Sequence, residues 1–229
     1  MKKNTLTAHE IPKRSVGETL RRYFIMLVGL VINSFGINLI TKALLGTSPI
    51  TSVPYTLSLK FPFTLGEFTF IFNILLILIQ LLLLRKKFHP QYWLEIPITF
   101  LLSAFIDITA IFFTNFHPAN YALQIISLLI GCVVLGMGVS LEFVADVAML
   151  PGEGCVNAIC VVFGTDMGKT KVGFDVSMTL ISVVMSLIFF GSLISVREGT
   201  VVSAILVGII ARTAKPHLMI LERFMIKKA

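Results

Sequence analysis

The sequence predicts an all-α polytopic membrane protein: about six transmembrane helices, built as two inverted three-helix repeats that each carry a broken, re-entrant half-helix. Three observations predict it. Apolar stretches close to twenty residues long recur along the chain, which is the length that crosses a hydrocarbon core of roughly 30 Å. The 229 residues are 56% hydrophobic and 14% charged, with a mean hydropathy of +0.92, whereas a soluble domain carries about a quarter charged residues. Two apolar stretches are interrupted in the same manner, at LLGTSPITSVPYTLS (44–58) and AMLPGEGCVNAICVV (148–162).

The spans are read in order at 22–45, 68–84, 92–113, 121–147, 172–194 and 200–214. FIFNILLILIQLLLL (70–84) is apolar on every side, without the period-two alternation of a barrel strand. The first twenty residues are polar and lack the short apolar core of a cleavable signal. Residues 1–21 read as a cytoplasmic segment. The tail 215–229 mixes apolar and basic residues. It reads either as an amphipathic helix lying on the inner leaflet or as a continuation of the sixth span.

The net charge of +7 sits at span ends. Basic residues gather at Lys2, Lys3, Lys13, Arg14, Arg21 and Arg22, at Arg85, Lys86 and Lys87, at Lys169 and Lys171, and at Arg212, Lys215, Arg223, Lys227 and Lys228. With six spans these clusters fall on one side, and Lys42, Lys60 and Arg197 on the other. The bias predicts that both termini are cytoplasmic. No basic stripe is interleaved with stacking aromatics, so nucleic acid is not the expected partner; membrane lipids are. Cys132, Cys155 and Cys160 lie in apolar segments without metal-ligand spacing and read as packing residues.

The two interruptions belong to a duplication. An offset of 102 places Gly29 on Gly131, Gly36 on Gly138, Asn38 on Ser140, Ala43 on Ala145 and Pro49 on Pro151. LGEF (65–68) matches VGFD (172–175) at an offset of 107, and Ser103–Ala104 matches Ser203–Ala204 at 100. Repeat 1 is then 22–114 and repeat 2 is 121–214. Three spans per repeat turn the second copy upside down relative to the first, the arrangement of many transporters whose sites lie at the repeat interface. Pro49 and Pro151 suit the first position of a helix, giving half-helices at 49–60 and 151–164. The plainer alternative is two interfacial loops, each followed by a short surface helix.

KALLGTSPITSVPYTLS, TLGEFTFIFNILL and EGTVVSAILVGII together resemble the bacterial YczE/YyaS/YitT family of small integral membrane proteins over about residues 23–214. The resemblance implies a multi-pass protein of the bacterial plasma membrane. Its members are largely of unassigned activity, and one branch is an accessory of secondary-metabolite production. It carries no site residues over.

Candidate residues therefore follow from physics. Thr47, Ser48, Thr51 and Tyr55 at the first break, with Glu153 and Asn157 at the second, are the expected substrate-binding set, because half-helix N-termini offer unpaired N–H groups and a positive dipole end. Asp107, near the middle of the third span, is a candidate coupling-ion residue, since an ionisable group there costs at least ~2.5 kcal/mol. Glu142 and Asp146, one helical turn apart, are the others. Each has a structural alternative: Asp107 and Glu142 as packing acids, Glu153 as a cap. Asn33, Asn38 and Gln80 read as interhelical amides. HExxH, GxSxG and nucleotide-binding P-loop patterns do not occur. The expectation is a non-enzymatic secondary transporter or exporter of a small polar or amphipathic solute, without cofactor or metal, suggesting protons as the coupling ion and leaving a homo-oligomer open. A membrane accessory or scaffold protein is the runner-up.

Overall fold

The computed structural model describes residues 15–85 and 90–226. Among these residues the protein is all helical: α1 (Val16–Lys42), α2 (Pro49–Lys60), α3 (Leu65–Leu84), α4 (Glu95–Phe112, entered through a 3-10 turn at Pro90–Leu94), α5 (Tyr121–Ala145), α6 (Pro151–Phe163), α7 (Met167–Phe190) and α8 (Glu198–Ile226). Six of them are long and apolar enough to cross a bilayer; α2 and α6 are not. At 1.5 Å per residue the two short helices span about 18 and 20 Å.

The core is built on α1 and α5, which run antiparallel at close range. Glycines make the approach possible. A Cβ on Gly138 would meet Asn33 Cα at 2.9 Å and Gly29 O at 3.0 Å, and one on Gly131 would meet Ile40 N at 3.0 Å and Gly36 O at 3.4 Å. Close backbone approach at small residues is the usual device of helix association in lipid, where no hydrophobic force draws helices together. At an offset of 102 residues, the Gly29–Gly138 contact becomes the Gly131–Gly36 contact with the halves exchanged.

The same exchange runs through the outer layer. α1 packs on α4 as α5 packs on α8; α2 packs on α7 as α6 packs on α3; α2 touches α3 as α6 touches α7. Polar contacts follow suit. Asn38 Nδ2 donates to Ile106 O at 2.8 Å, and Ser140 Oγ, at the matching position, donates to Ala211 O at 3.0 Å.

Both breaks lie below the ends of the helix beside them. Ile40 is level with Gly131, so the start of α5 at Tyr121 carries on about 15 Å past it, while α1 stops at Lys42. Likewise Arg22 reaches Ala145 O at the end of α5, and α1 continues about 9 Å beyond that level to Val16.

Several boundaries differ from those the sequence suggests. α1, α3 and α7 begin earlier, at Val16, Leu65 and Met167. α5 stops at Ala145, so Asp146 leaves the helix in a left-handed conformation, φ 51°, and does not share the Glu142 face. The tail continues the sixth span: α8 is one helix through Pro216 to Ile226. The caps of α3 and α7 occupy matching places. Thr64 caps α3 by accepting from Glu67 N–H, and Asp166 caps α7 by accepting from Lys169 N–H. The two N-caps lie 102 residues apart, the offset that also relates Gly29 to Gly131. Lys2, Lys3, Lys13, Arg14, Lys86, Lys87, Lys227 and Lys228 lie outside the described residues, as does most of the segment 1–21.

Candidate functional site

The first break turns the chain with Leu44 at φ 61° and Gly46 at φ +97°, the second a value that favours glycine. Gly46 also lies against Thr200 Oγ1 and the Arg197 N–H, too close for a side chain. The end of α1 leaves carbonyls without helical partners. Gly199 N–H donates to Leu45 O at 2.8 Å, and the Arg197 guanidinium donates to Leu44 O at 3.0 Å. At the second break Arg22 does the same for α5, donating to Ala145 O at 3.1 Å and Val144 O at 3.4 Å. A guanidinium carries enough donors to serve adjacent carbonyls at once, so both breaks are held by an arginine.

Pro49 and Pro151 occupy the first turns of α2 and α6. The two half-helices start close together: a Cβ on Gly152 would sit 2.8 Å from Ile50 Cδ1. Two helix N-termini therefore come within one side chain of each other inside the bundle, that of α6 with its Glu153 and Gly154 N–H groups already bonded to Leu150 O.

Their surroundings differ. Around α2 the polar atoms are hydroxyls. Thr47 Oγ1 lies 3.2 Å from Thr41 Oγ1, Ser48 Oγ is 2.8 Å from Thr51 Oγ1, and Ser52 Oγ donates to Pro49 O at 2.6 Å. Thr47 and Thr51 are buried and Tyr55, one turn on, is half-buried. Further along α2, Thr56 meets Ser182 of α7 at 2.8 Å and Ser195 at 2.6 Å, which fastens α2 to α7.

Around α6 the polar atoms are carboxylates and amides. Glu142 is 6% exposed; its Oε1 accepts from Asn33 Nδ2 at 2.8 Å, and its Oε2 has no partner among the described residues. Glu153, in the first turn of α6, is within electrostatic range of Glu142, Lys171 and Asp175. Lys171 pairs with Asp175 at 2.9 Å. Asn157 is buried one turn after Glu153. On the opposite flank of α6, Gln80 and Glu95 form a second buried pair.

The predicted residues thus divide. Thr47, Ser48 and Thr51 gather at the start of α2, and Glu142 and Glu153 gather with Asn33 at the start of α6. Asp107 is elsewhere: five residues from the end of α4 rather than at mid-span, it accepts from Thr64 Oγ1 at 2.7 Å and from Gly66 N–H at 2.9 Å, capping α3. Asp146 is the C-cap of α5. Glu95 escapes a reading of the sequence, because a charge at the start of an apolar segment looks like a span boundary. Gln80, in the middle of an otherwise apolar run, is the signal that could have led to it.

A groove of roughly 780 Å³ opens between α6 and α7, lined in part by Ile159, Phe163, Thr165, Lys169, Gly173 and Phe174. The equivalent corner between α2 and α3 is filled by rings in tilted and edge-to-face contact: Phe68 packs against Phe61 and Phe63, and Phe61 against Phe189.

A family model described as a family of unknown function, DUF6198, matches residues 20–216. The chain belongs to this family. It is 26% identical over 209 residues to the uncharacterized protein YyaS of Bacillus subtilis strain 168, covering 90% of this chain and 97% of the relative. It is also 27% identical over 203 residues to the uncharacterized membrane protein YczE of the same organism, covering 87% and 88%. Both agree with the YczE/YyaS resemblance of the sequence and with six apolar helices: this is a multi-pass integral membrane protein. No solved structure matches the chain.

Proposed function

We propose that the chain is a secondary transporter of a small polar or amphipathic solute, made of two inverted repeats (22–114 and 121–214) in the bacterial plasma membrane with both termini cytoplasmic. One observation carries this reading: two half-helices begin against each other at Ile50 and Gly152, beside a buried carboxylate, Glu142, with an oxygen left open. Irregular backbone at such depth is tolerated where protein buries it or where it lines a wet cavity. Buried ionisable groups in spans mark substrate and proton routes.

Glu142 and Glu153 are the residues expected to meet the solute or its coupling proton, with Asn157 supplying a neutral hydrogen bond. The α2 hydroxyls Thr47, Ser48 and Thr51 form the opposite wall. Asp107 acts at a helix joint rather than on the solute. The groove between α6 and α7 is the expected entrance from the side that carries the termini. The chain needs no cofactor and catalyses no reaction in this scheme.

Flux into proteoliposomes, with and without a pH gradient, tests the reading. Glu142→Gln is expected to abolish gradient-driven uptake and Glu153→Gln to weaken it. Absence of flux for every solute class tried would overturn transport in favour of the second reading, a membrane accessory that serves a partner. The continuation of α8 past the span to Ile226 favours that alternative, since it offers a partner a helical arm. In that case removal of 215–229 abolishes the phenotype and Glu153→Gln leaves it intact.

A further inference from the structure

Gln80 of α3 and Glu95, the first residue of α4, are 0% and 1% exposed. Gln80 Nε2 donates to Glu95 Oε2 at 2.9 Å and to Pro151 O at 3.2 Å. A backbone carbonyl and an ionised carboxylate only accept, so the amide nitrogen must face them and the amide oxygen must turn away. There it finds no partner among the described residues. Glu95 Oε1 points to the same place: Gln80 Oε1 and Glu95 Oε1 lie 2.8 and 2.9 Å from the point that a Cβ on Gly154 would occupy. Two acceptors thus border one small space over a glycine; the third atom there, Gln80 Nε2 at 3.0 Å, is already engaged with Glu95 Oε2 and Pro151 O.

Among the described residues no side chain donates to Gln80 Oε1, and the side-chain bond to Glu95 runs to its other oxygen. The titratable groups near Glu95 are Tyr92, in the turn that leads into α4, and Cys155 on α6. Glu153, next to Gly154 in the chain, is engaged with Glu142, Lys171 and Asp175 instead. No ion pair reaches Glu95 among the described residues. What the space lacks is a hydrogen-bond donor small enough to fit beside a glycine Cα.

We propose that Glu95 and Gln80 form a proton-binding site. The added proton sits on Glu95 Oε1 and is donated to Gln80 Oε1, while the two N–H bonds from Gln80 to Glu95 Oε2 and Pro151 O stay in place. One proton enters, one negative charge disappears, and the orphan amide oxygen gains its donor. Gly154 is required here because any side chain would occupy the meeting point of the two oxygens. Nothing in this site depends on transport: flux could be absent while the proton still binds.

Infrared difference spectroscopy of the intact chain in lipid nanodiscs, stepped from alkaline to acid pH, tests the proposal. Acidification is expected to produce the carbonyl stretch of a hydrogen-bonded carboxylic acid, together with a change in a glutamine side-chain carbonyl. Glu95→Gln, which keeps shape and hydrogen bonding, is expected to lose that acid band. Gln80→Met is expected to keep it at the higher frequency of an unbonded acid. An acid band unchanged in Glu95→Gln, or unmoved in Gln80→Met, overturns the site. If either variant does not fold, the unaltered chain decides: an acid band that rises with no matching change in a glutamine carbonyl, or that follows sodium at fixed pH, also overturns it.

Discussion

The joint between α3 and α4 and the joint between α7 and α8 are made of corresponding parts, yet one is shut and the other is not. At the first, Gly66 lies directly on Ser103 O, with the Asp107 carboxyl 2.5–2.6 Å from where its Cβ would be. Asp107 ties the joint by capping α3 through Thr64 and Gly66. At the second, Gly168 holds the position that Gly66 holds after the N-cap, and its nearest neighbour on α8 is the tip of Arg212, 4.0 Å away. Gly173 on the same helix has nothing within 4 Å. The difference teaches that α3 and α4 meet backbone to backbone at Gly66, whereas α7 and α8 leave open space at Gly168 that only the tip of Arg212 approaches from α8. The transport proposed above requires a second state in which the two joints are exchanged.

The largest expected effect comes from filling the shut joint. Gly66→Ala places a methyl group against Ser103 O and the Asp107 carboxyl, and should destabilise the fold by about 1–3 kcal/mol through overpacking, read as thermal unfolding in detergent. Gly173→Ala, in open space, should be neutral or stabilising by about 0.5–1 kcal/mol, because alanine favours the helix. Equal losses at both positions would break the comparison. Next is Asp107→Ala, which removes a cap and should cost about 1–2 kcal/mol, with Asp107→Asn retaining part of it because its side-chain oxygen still accepts. If Asp107→Asn leaves stability intact but stops flux, Asp107 belongs to the transport route after all.

Much of this architecture could be read from the chain, and the failures have physical causes. Pro49 and Pro151 announce the half-helices because proline is favoured at the first helical position. The glycine pairs announce the α1–α5 contact because they recur at one offset. The N-caps Thr64 and Asp166 occupy matching places but, being chemically different, do not look alike in the sequence. The tail after residue 214 leaves two readings open, and α8 continues through Pro216, as spanning helices tolerate proline. Asp107 and Glu95 were misplaced or overlooked because a carboxylate on a span says nothing of its partner: Asp107 is spent on a cap one helix away, and Glu95 is buried by α3 and α6, which only the tertiary fold brings to it.

A moderate effect should sharpen the α2–α7 contact. Thr56→Val removes the hydroxyl shared with Ser182 and Ser195 and should cost about 1 kcal/mol, seen in the same unfolding assay. The smallest change in stability belongs to Arg212→Met. The side chain is exposed, so the loss should stay below about 0.5 kcal/mol, while a cysteine placed at Gly173 becomes more reactive to a soluble thiol reagent. A stability loss as large as that of Gly66→Ala would mean that α7 and α8 are fastened as firmly as α3 and α4.

The proposed transport requires the two joints to exchange, and paired spin-label distances in proteoliposomes measure this directly. One label pair at Lys169 and Thr213 reports on α7 and α8; another at Phe63 and Ile111 reports on α3 and α4, all four positions being exposed. The account predicts two populations that respond to a pH gradient in opposite senses, α7–α8 closing as α3–α4 opens. One fixed distance at each pair under every condition would contradict it.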